Sequence, residues 1–118
     1  MTRKAAILAS LPLIATIFAC GGKLDELIAP IISSQPSNQT VKVGSAFGFA
    51  VLATGANLSY QWSKLNTTTS TWEPITGATN PTYSKTTSVL GDAGSFRVVV
   101  TNPGGSVTSS TATLTVNP

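Results

Sequence analysis

Apolar side chains recur at every second position in several stretches of this chain, and that spacing limits the fold more than any other feature. Phe47, Phe49, Val51 and Ala53 form one row, Leu58, Tyr60 and Trp62 a second, and Phe96, Val98 and Val100 a third. Ala112, Leu114 and Val116 alternate with threonines, and Val41 and Val43 flank Lys42. In a strand, successive side chains point to opposite faces, so a period of two gives one buried and one solvated face. Turn-forming residues separate the rows: Val43-Gly44, Thr54-Gly55-Ala56-Asn57, Gly77, Asn80-Pro81, Gly91-Asp92 and Asn102-Pro103-Gly104-Gly105. Short strands at such intervals, with no convincing amphipathic helix, predict an all-β sandwich or small barrel. The threonines agree, because β-branched polar side chains suit a solvated sheet face. No stretch repeats another, so one domain is expected from Ile31 to Pro118.

The front of the chain follows a different logic. Arg3 and Lys4 precede Ala5 to Ala19, fifteen residues without a charge, and then Cys20-Gly21-Gly22. A basic start, an apolar middle of roughly 7–15 residues and a small residue at the cut make a secretory signal. A membrane-spanning helix takes about 20 apolar residues, so this run is short for one, and Pro12 weakens it further. Ile17-Phe18-Ala19-Cys20 resembles the lipobox of bacterial lipoproteins, from which Phe18 departs, since a small residue normally stands there. The resemblance implies S-diacylglycerol on Cys20, cleavage before it and N-acylation of the new amine. An ordinary signal peptide cut after Ala19 is the alternative, and it would leave a thiol with no partner in the chain. Two or more acyl chains anchor stably. Gly21, where the family's inner-membrane retention residue is Asp, implies the outer membrane of a bacterial cell envelope. The expected organisation is a signal peptide (1–19), a lipid-bearing Cys20 with a flexible tether (20–30) and the β domain (31–118).

Specific residues narrow the fold. Gly44, Val51, Gly55 and Tyr60-Gln61-Trp62 resemble the B and C strands of an immunoglobulin domain. The run from Asp92 through Gly94, Phe96 and Val98 to Asn102 resembles its F strand. Asn102-Pro103-Gly104-Gly105-Ser106 with Ala112, Leu114 and Val116 matches its FG turn and G strand. Ile75-Thr76-Gly77-Ala78-Thr79 and Tyr83 are similar to the middle of bacterial immunoglobulin-like modules. The resemblance implies a sandwich of two antiparallel sheets with about seven strands. It also implies that Val51 and Val98 replace the usual disulfide, that Trp62 packs against them, and that Phe96 stands at the tyrosine-corner position without its hydroxyl. Lys85 falls where an inward apolar residue of strand E is expected. Either that strand shifts so that Val89 or Leu90 points inward, or it is short.

Composition excludes more than it suggests. The whole chain carries a formal charge of +3, but removing residues 1–19 takes away Arg3 and Lys4 and leaves five basic against four acidic residues. Nothing then marks a nucleic-acid footprint. The chain has no histidine, so its charge is expected to stay nearly constant from about pH 5 to 8. Asp25 and Glu26 lie on the tether, Asp92 is expected to cap the turn before strand F, and Glu73 stands alone. Catalysis and calcium binding both need more carboxylates or a base in one place, so no enzyme, metal or cofactor is expected. Asn38, Asn57 and Asn66 begin glycosylation triplets, which arise by chance in a Thr-rich chain.

The candidate contact site is Trp72 with Glu73, at the end of a Thr-rich segment, residues 64–74. An exposed Trp offers a flat apolar face and one N–H, suited to protein or sugar. The alternative is that Trp72 folds back over an open sheet edge. The loops at 55–57 and 103–105 are a second place for binding, though small and without distinctive chemistry. The expected function is a lipid-anchored envelope module working by protein–protein or protein–glycan contact, in adhesion or assembly. The alternative is a structural spacer lipoprotein of an envelope complex, with no diffusible ligand.

Overall fold

The computed structural model describes residues 27–118. The period-two rows become strands: β1 (Ile31–Ser34), β2 (Gln39–Lys42), β3 (Phe47–Ala50), β4 (Leu52–Thr54), β5 (Ser59–Asn66), β6 (Thr71–Pro74), β7 (Thr82–Lys85), β8 (Gly94–Asn102), β9 (Gly105–Thr108) and β10 (Ala112–Asn117). A 3₁₀ turn, Leu90–Asp92, precedes β8. Three pairs of segments (β1 with β2, β3 with β4, β9 with β10) are interrupted halves of one path, so about seven paths remain, as the sequence implied.

The larger sheet has the order β2-β10-β8-β5-β6, with β9 also on β8. The other layer consists of the antiparallel pairs β1–β4 and β3–β7. One expectation needs correcting, because β2 runs parallel to β10, with Leu114 opposite Gln39 and Asn117 opposite Lys42. The larger sheet is therefore mixed. The cause lies between β1 and β2, where Pro36 is buried and cannot donate to a ladder. The chain leaves β4 there and crosses to the opposite sheet. Side chains bridge the crossing: the Ser110 amide donates to Gln35 Oε1 at 2.9 Å and the Thr113 amide to Asn38 Oδ1 at 2.8 Å.

Inward residues meet between the layers. Trp62, Val98, Val100 and Ala112 are fully buried, and Phe47, Phe49, Val51, Phe96, Leu114 and Val116 nearly so. Phe49 and Phe96 rings approach to 5.1 Å, Tyr83 and Phe96 to 5.8 Å, and Phe49 and Trp62 to 6.2 Å. Such aromatic pairs add to what area burial gives, and Val51 and Val98 belong to the same buried cluster. Trp62 Nε1 donates to the Asn80 carbonyl at 2.8 Å, so its polar atom is satisfied. Val43 departs from the expected row: it lies just past the end of β2, exposed, with its amide donating to the Asn117 carbonyl.

Strand β7 resolves the question posed by Lys85. It is short, and Val89 and Leu90 are exposed rather than inward. Tyr83 pairs with Phe49 and Lys85 with Phe47, so both lie on the inner side. The Lys85 stem runs along the core margin, and its ammonium leaves the sandwich to meet Asp92 at 3.0 and 3.1 Å. A long side chain with an apolar stem can do this without burying its charge.

Candidate functional site

The expected lipid-attachment position Cys20 and the expected signal peptide 1–19 lie outside the described residues. Trp72 and Glu73 lie within them, on adjacent positions of β6, and therefore on opposite faces. They do not form one site. Glu73 lies opposite Lys64 in the strand register, and its carboxylate accepts from Asn66 Nδ2 at 3.0 Å. It borders an open groove of about 380 Å³ together with Lys64, Asn66, Gly91 and Gly94. Lys64 is committed there: its ammonium donates to the Gly91 carbonyl at 2.6 Å and lies 5.7 Å from the centre of the Phe96 ring.

Trp72 pairs with Leu65 on the outer face of the larger sheet, and Ser63 lies between Pro74 and Arg97 in the same layer. The small Ser63 leaves room for its neighbours to lean together. The Arg97 guanidinium sits 4.2 Å from the centre of the Trp72 ring, within cation–π range. Ser63 is only 8% exposed although it faces outward, as expected beneath such a pair. Arg97 Nε is buried with no hydrogen-bond partner, and a delocalised guanidinium tolerates this better than an ammonium would. Trp72 thus neither stands free nor closes the edge of β6. It folds inward over its own sheet. Gln61, Val99 and Thr101 extend this outer layer along β5 and β8.

The hairpin before Trp72 is held by Asn66, whose Oδ1 accepts from the Thr68 and Thr69 amides at 2.9 and 3.2 Å. Ser70 adopts a positive φ of 58° to close it. Sequence reasoning found Trp72 but missed Arg97. Only the alternation that puts Arg97 outward on β8 could have pointed to it, and no spacing joins it to Trp72.

Asp92, in the 3₁₀ turn before β8, is a structural group. Burial raises its pKa, but the Val89 amide at 2.8 Å and the Lys85 ammonium outweigh this, with Lys64 assisting, so the carboxyl is held below its ordinary range. Tyr83 is shifted upward, chiefly by burial, with Lys85 opposing and Asp92 adding to it. Among the described residues, no three carboxylate, histidine or cysteine side chains gather at one point.

The chain belongs to the family described as Domain of unknown function (DUF8696), whose profile matches residues 31–118. It is 36% identical over 85 residues to a decoration protein of Escherichia phage T5, a match that covers 70% of this chain. The chain spans about half the length of that relative, 48%. Among solved structures, the tandem Ig repeats of Dlar superpose with a TM-score of 0.64 at 20% identity, covering 75% of this chain and 48% of that one. Immunoglobulin domains 1-5 of Sidekick-1 give 0.64 at 21%, covering 76% and 20%. A single titin domain gives 0.60 at 20%, covering 75% and 97%. At such identities these likenesses show the fold alone, and the fold is immunoglobulin-like.

Proposed function

We propose that this DUF8696 member is a non-enzymatic contact module of a bacterial envelope, lipid-anchored through Cys20, which engages a protein or glycan through the outer face of its larger sheet. The observation that carries this reading is the Trp72–Arg97 stack. It places a large aromatic ring under a fixed cation on a sheet face that also carries Ser63, Gln61, Thr101, Leu65 and Val99. Trp and Arg dominate the energy of many interfaces, because each supplies a broad, pre-ordered contact area. The stack limits the rotamers of both, which lowers the entropy lost on binding. A relative named as a decoration protein supports a role exercised by contact rather than by catalysis.

The lipid anchor rests on the sequence: the short apolar segment, the lipobox-like Ile17 to Cys20 and the single cysteine. Gly21 supports the outer membrane. Cys20→Ala is expected to move the protein from the membrane fraction to the soluble one, and full retention would defeat the anchoring.

Crosslinking in the native envelope tests the contact. Trp72→Ala or Arg97→Ala is expected to weaken capture of the principal crosslinked partner by about tenfold or more, as for a central interface residue. An unchanged crosslinking pattern in both variants would instead favour the spacer role.

A further inference from the structure

One pole of the sandwich is built differently from the other. Residues 27–30, at the end of the expected tether, are fastened to it and do not hang free. The Ile28 carbonyl accepts from Asn102 Nδ2 at 2.9 Å, and Pro30 is buried. Gly104 approaches so closely that a Cβ there would lie 2.5 Å from the Ile28 carbonyl carbon. The chain therefore arrives from Cys20 at a defined place.

Around that place, large apolar side chains face outward. Leu27, Ile28, Ile31 and Leu52 are 40%, 45%, 61% and 60% exposed. Ile32 and Ala53 pack against the core, so alternation puts Ile31 and Leu52 together on the outer side of the β1–β4 pair. Beside them a shallow groove of about 320 Å³ runs between Ile28, Ile31, Thr54 and Ala56.

Charge separates the two poles. Among the described residues, Lys42, Lys64, Glu73, Lys85 and Asp92 lie toward the pole of the 3₁₀ turn, and Arg97 lies midway along β8. The pole of the arriving chain carries none of them. The 3₁₀ pole also exposes apolar side chains, Val43, Val89 and Leu90, but these sit among its charges. Bringing charge to a lipid boundary is unfavourable, whereas exposed Leu and Ile gain there. Seven residues lead from Cys20 to Leu27, a reach of at most about 25 Å.

We infer that the Leu27–Ile31–Leu52 pole rests on the bilayer that holds the acyl chains of Cys20, with Ile31 and Leu52 at the boundary between headgroups and acyl chains. Lys23, Asp25 and Glu26 lie between Cys20 and this pole in sequence, and their charge limits the seating to that boundary. The inference rests on the lipid-anchor reading. It turns the 3₁₀ pole, with Lys42 and the Lys85–Asp92 pair, away from the lipid, and stands the Trp72–Arg97 face upright beside it.

The test uses the full acylated chain in phosphatidylethanolamine/phosphatidylglycerol vesicles. A nitroxide is placed through Ala56→Cys at this pole or through Thr68→Cys on the β5–β6 hairpin, with Cys20 blocked by lipid. At Ala56, collision with dissolved oxygen relative to a water-soluble nickel reagent is expected to exceed that at Thr68 by about threefold, as at a shallow lipid boundary. Adding Ile31→Glu and Leu52→Glu is expected to bring the Ala56 ratio down to the Thr68 value while the chain stays anchored. Equal ratios at the two positions in an acylated chain overturn this inference alone, as does an Ala56 contrast that disappears on dilution to one copy per vesicle, which would assign the pole to a second copy. A Cys20 without acyl mass overturns the anchor reading and this one together.

Discussion

The two tryptophans of this chain stand on opposite sides of one sheet, and their surroundings have little in common. Trp62 on β5 is fully buried, stacked near Phe49, with its N–H bonded to Asn80. Trp72 on β6 is half-buried on the outer face, its ring against Arg97. The same side chain fills the core in one place and, in the other, belongs to the proposed contact surface. What separates them is the parity of their strand positions and the company that parity brings: aromatic and aliphatic groups inside, a guanidinium and a serine outside. Removal should therefore damage different properties.

The largest effect is expected from Trp62→Ala. Emptying a fully buried aromatic site typically costs about 3–5 kcal/mol, which is much of a small domain's stability. Urea denaturation would show it as a large fall in midpoint, or as failure to fold. A midpoint near that of the parent would mean that Trp62 is not the centre of the core. Gly104→Ala is next, because its Cβ would strike the Ile28 backbone. Overpacking of this kind costs about 1–3 kcal/mol. Proteolysis should then cut near residues 27–30 faster than in the parent, and an unchanged rate would mean that this segment is not fastened.

The Lys85–Asp92 pair is expected to matter less, and its contribution to be lost in acid. The folded pKa of Asp92 lies below its unfolded value of about 3.9, so its contribution is complete above that value and is lost as pH falls through the folded one. Asp92→Asn should flatten the acid limb of the stability curve below about pH 4 and cost roughly 1 kcal/mol or less at pH 7, since Lys85 is 39% exposed. An identical acid limb in both proteins would remove the pair from the account. Trp72→Ala should be mildest in stability, within about 1 kcal/mol, because a partly exposed cation–π contact contributes little more. Its larger effect is expected in capture of the crosslinked partner. A loss of several kcal/mol would place Trp72 with Trp62 as a structural residue and erase the contrast.

Legibility followed the range of the interactions involved. The inward set Phe47, Phe49, Val51, Trp62, Phe96 and Val98 could be read from alternation, because a strand repeats its faces locally whatever it pairs with. Lys85 could not be placed, since an inward position and a charged head reconcile only when Asp92 is present at the end of the sandwich. Trp72 and Glu73 were grouped because they adjoin in sequence, although adjacency in a strand means opposite faces.

By itself the sequence determined most of the strands, the turns between them and the inward set from Phe47 to Val98. It also determined the poverty in histidine and carboxylates on which the proposed contact role partly rests. Local backbone geometry and the burial of alternate apolar side chains suffice for that. Only the tertiary structure decided that β2 would run parallel to β10, that Arg97 would lie on Trp72, that Lys85 would reach Asp92, and that one pole would be free of charge among the described residues. Each of these depends on which strands lie side by side and in what register, and the pairing of distant segments sets that.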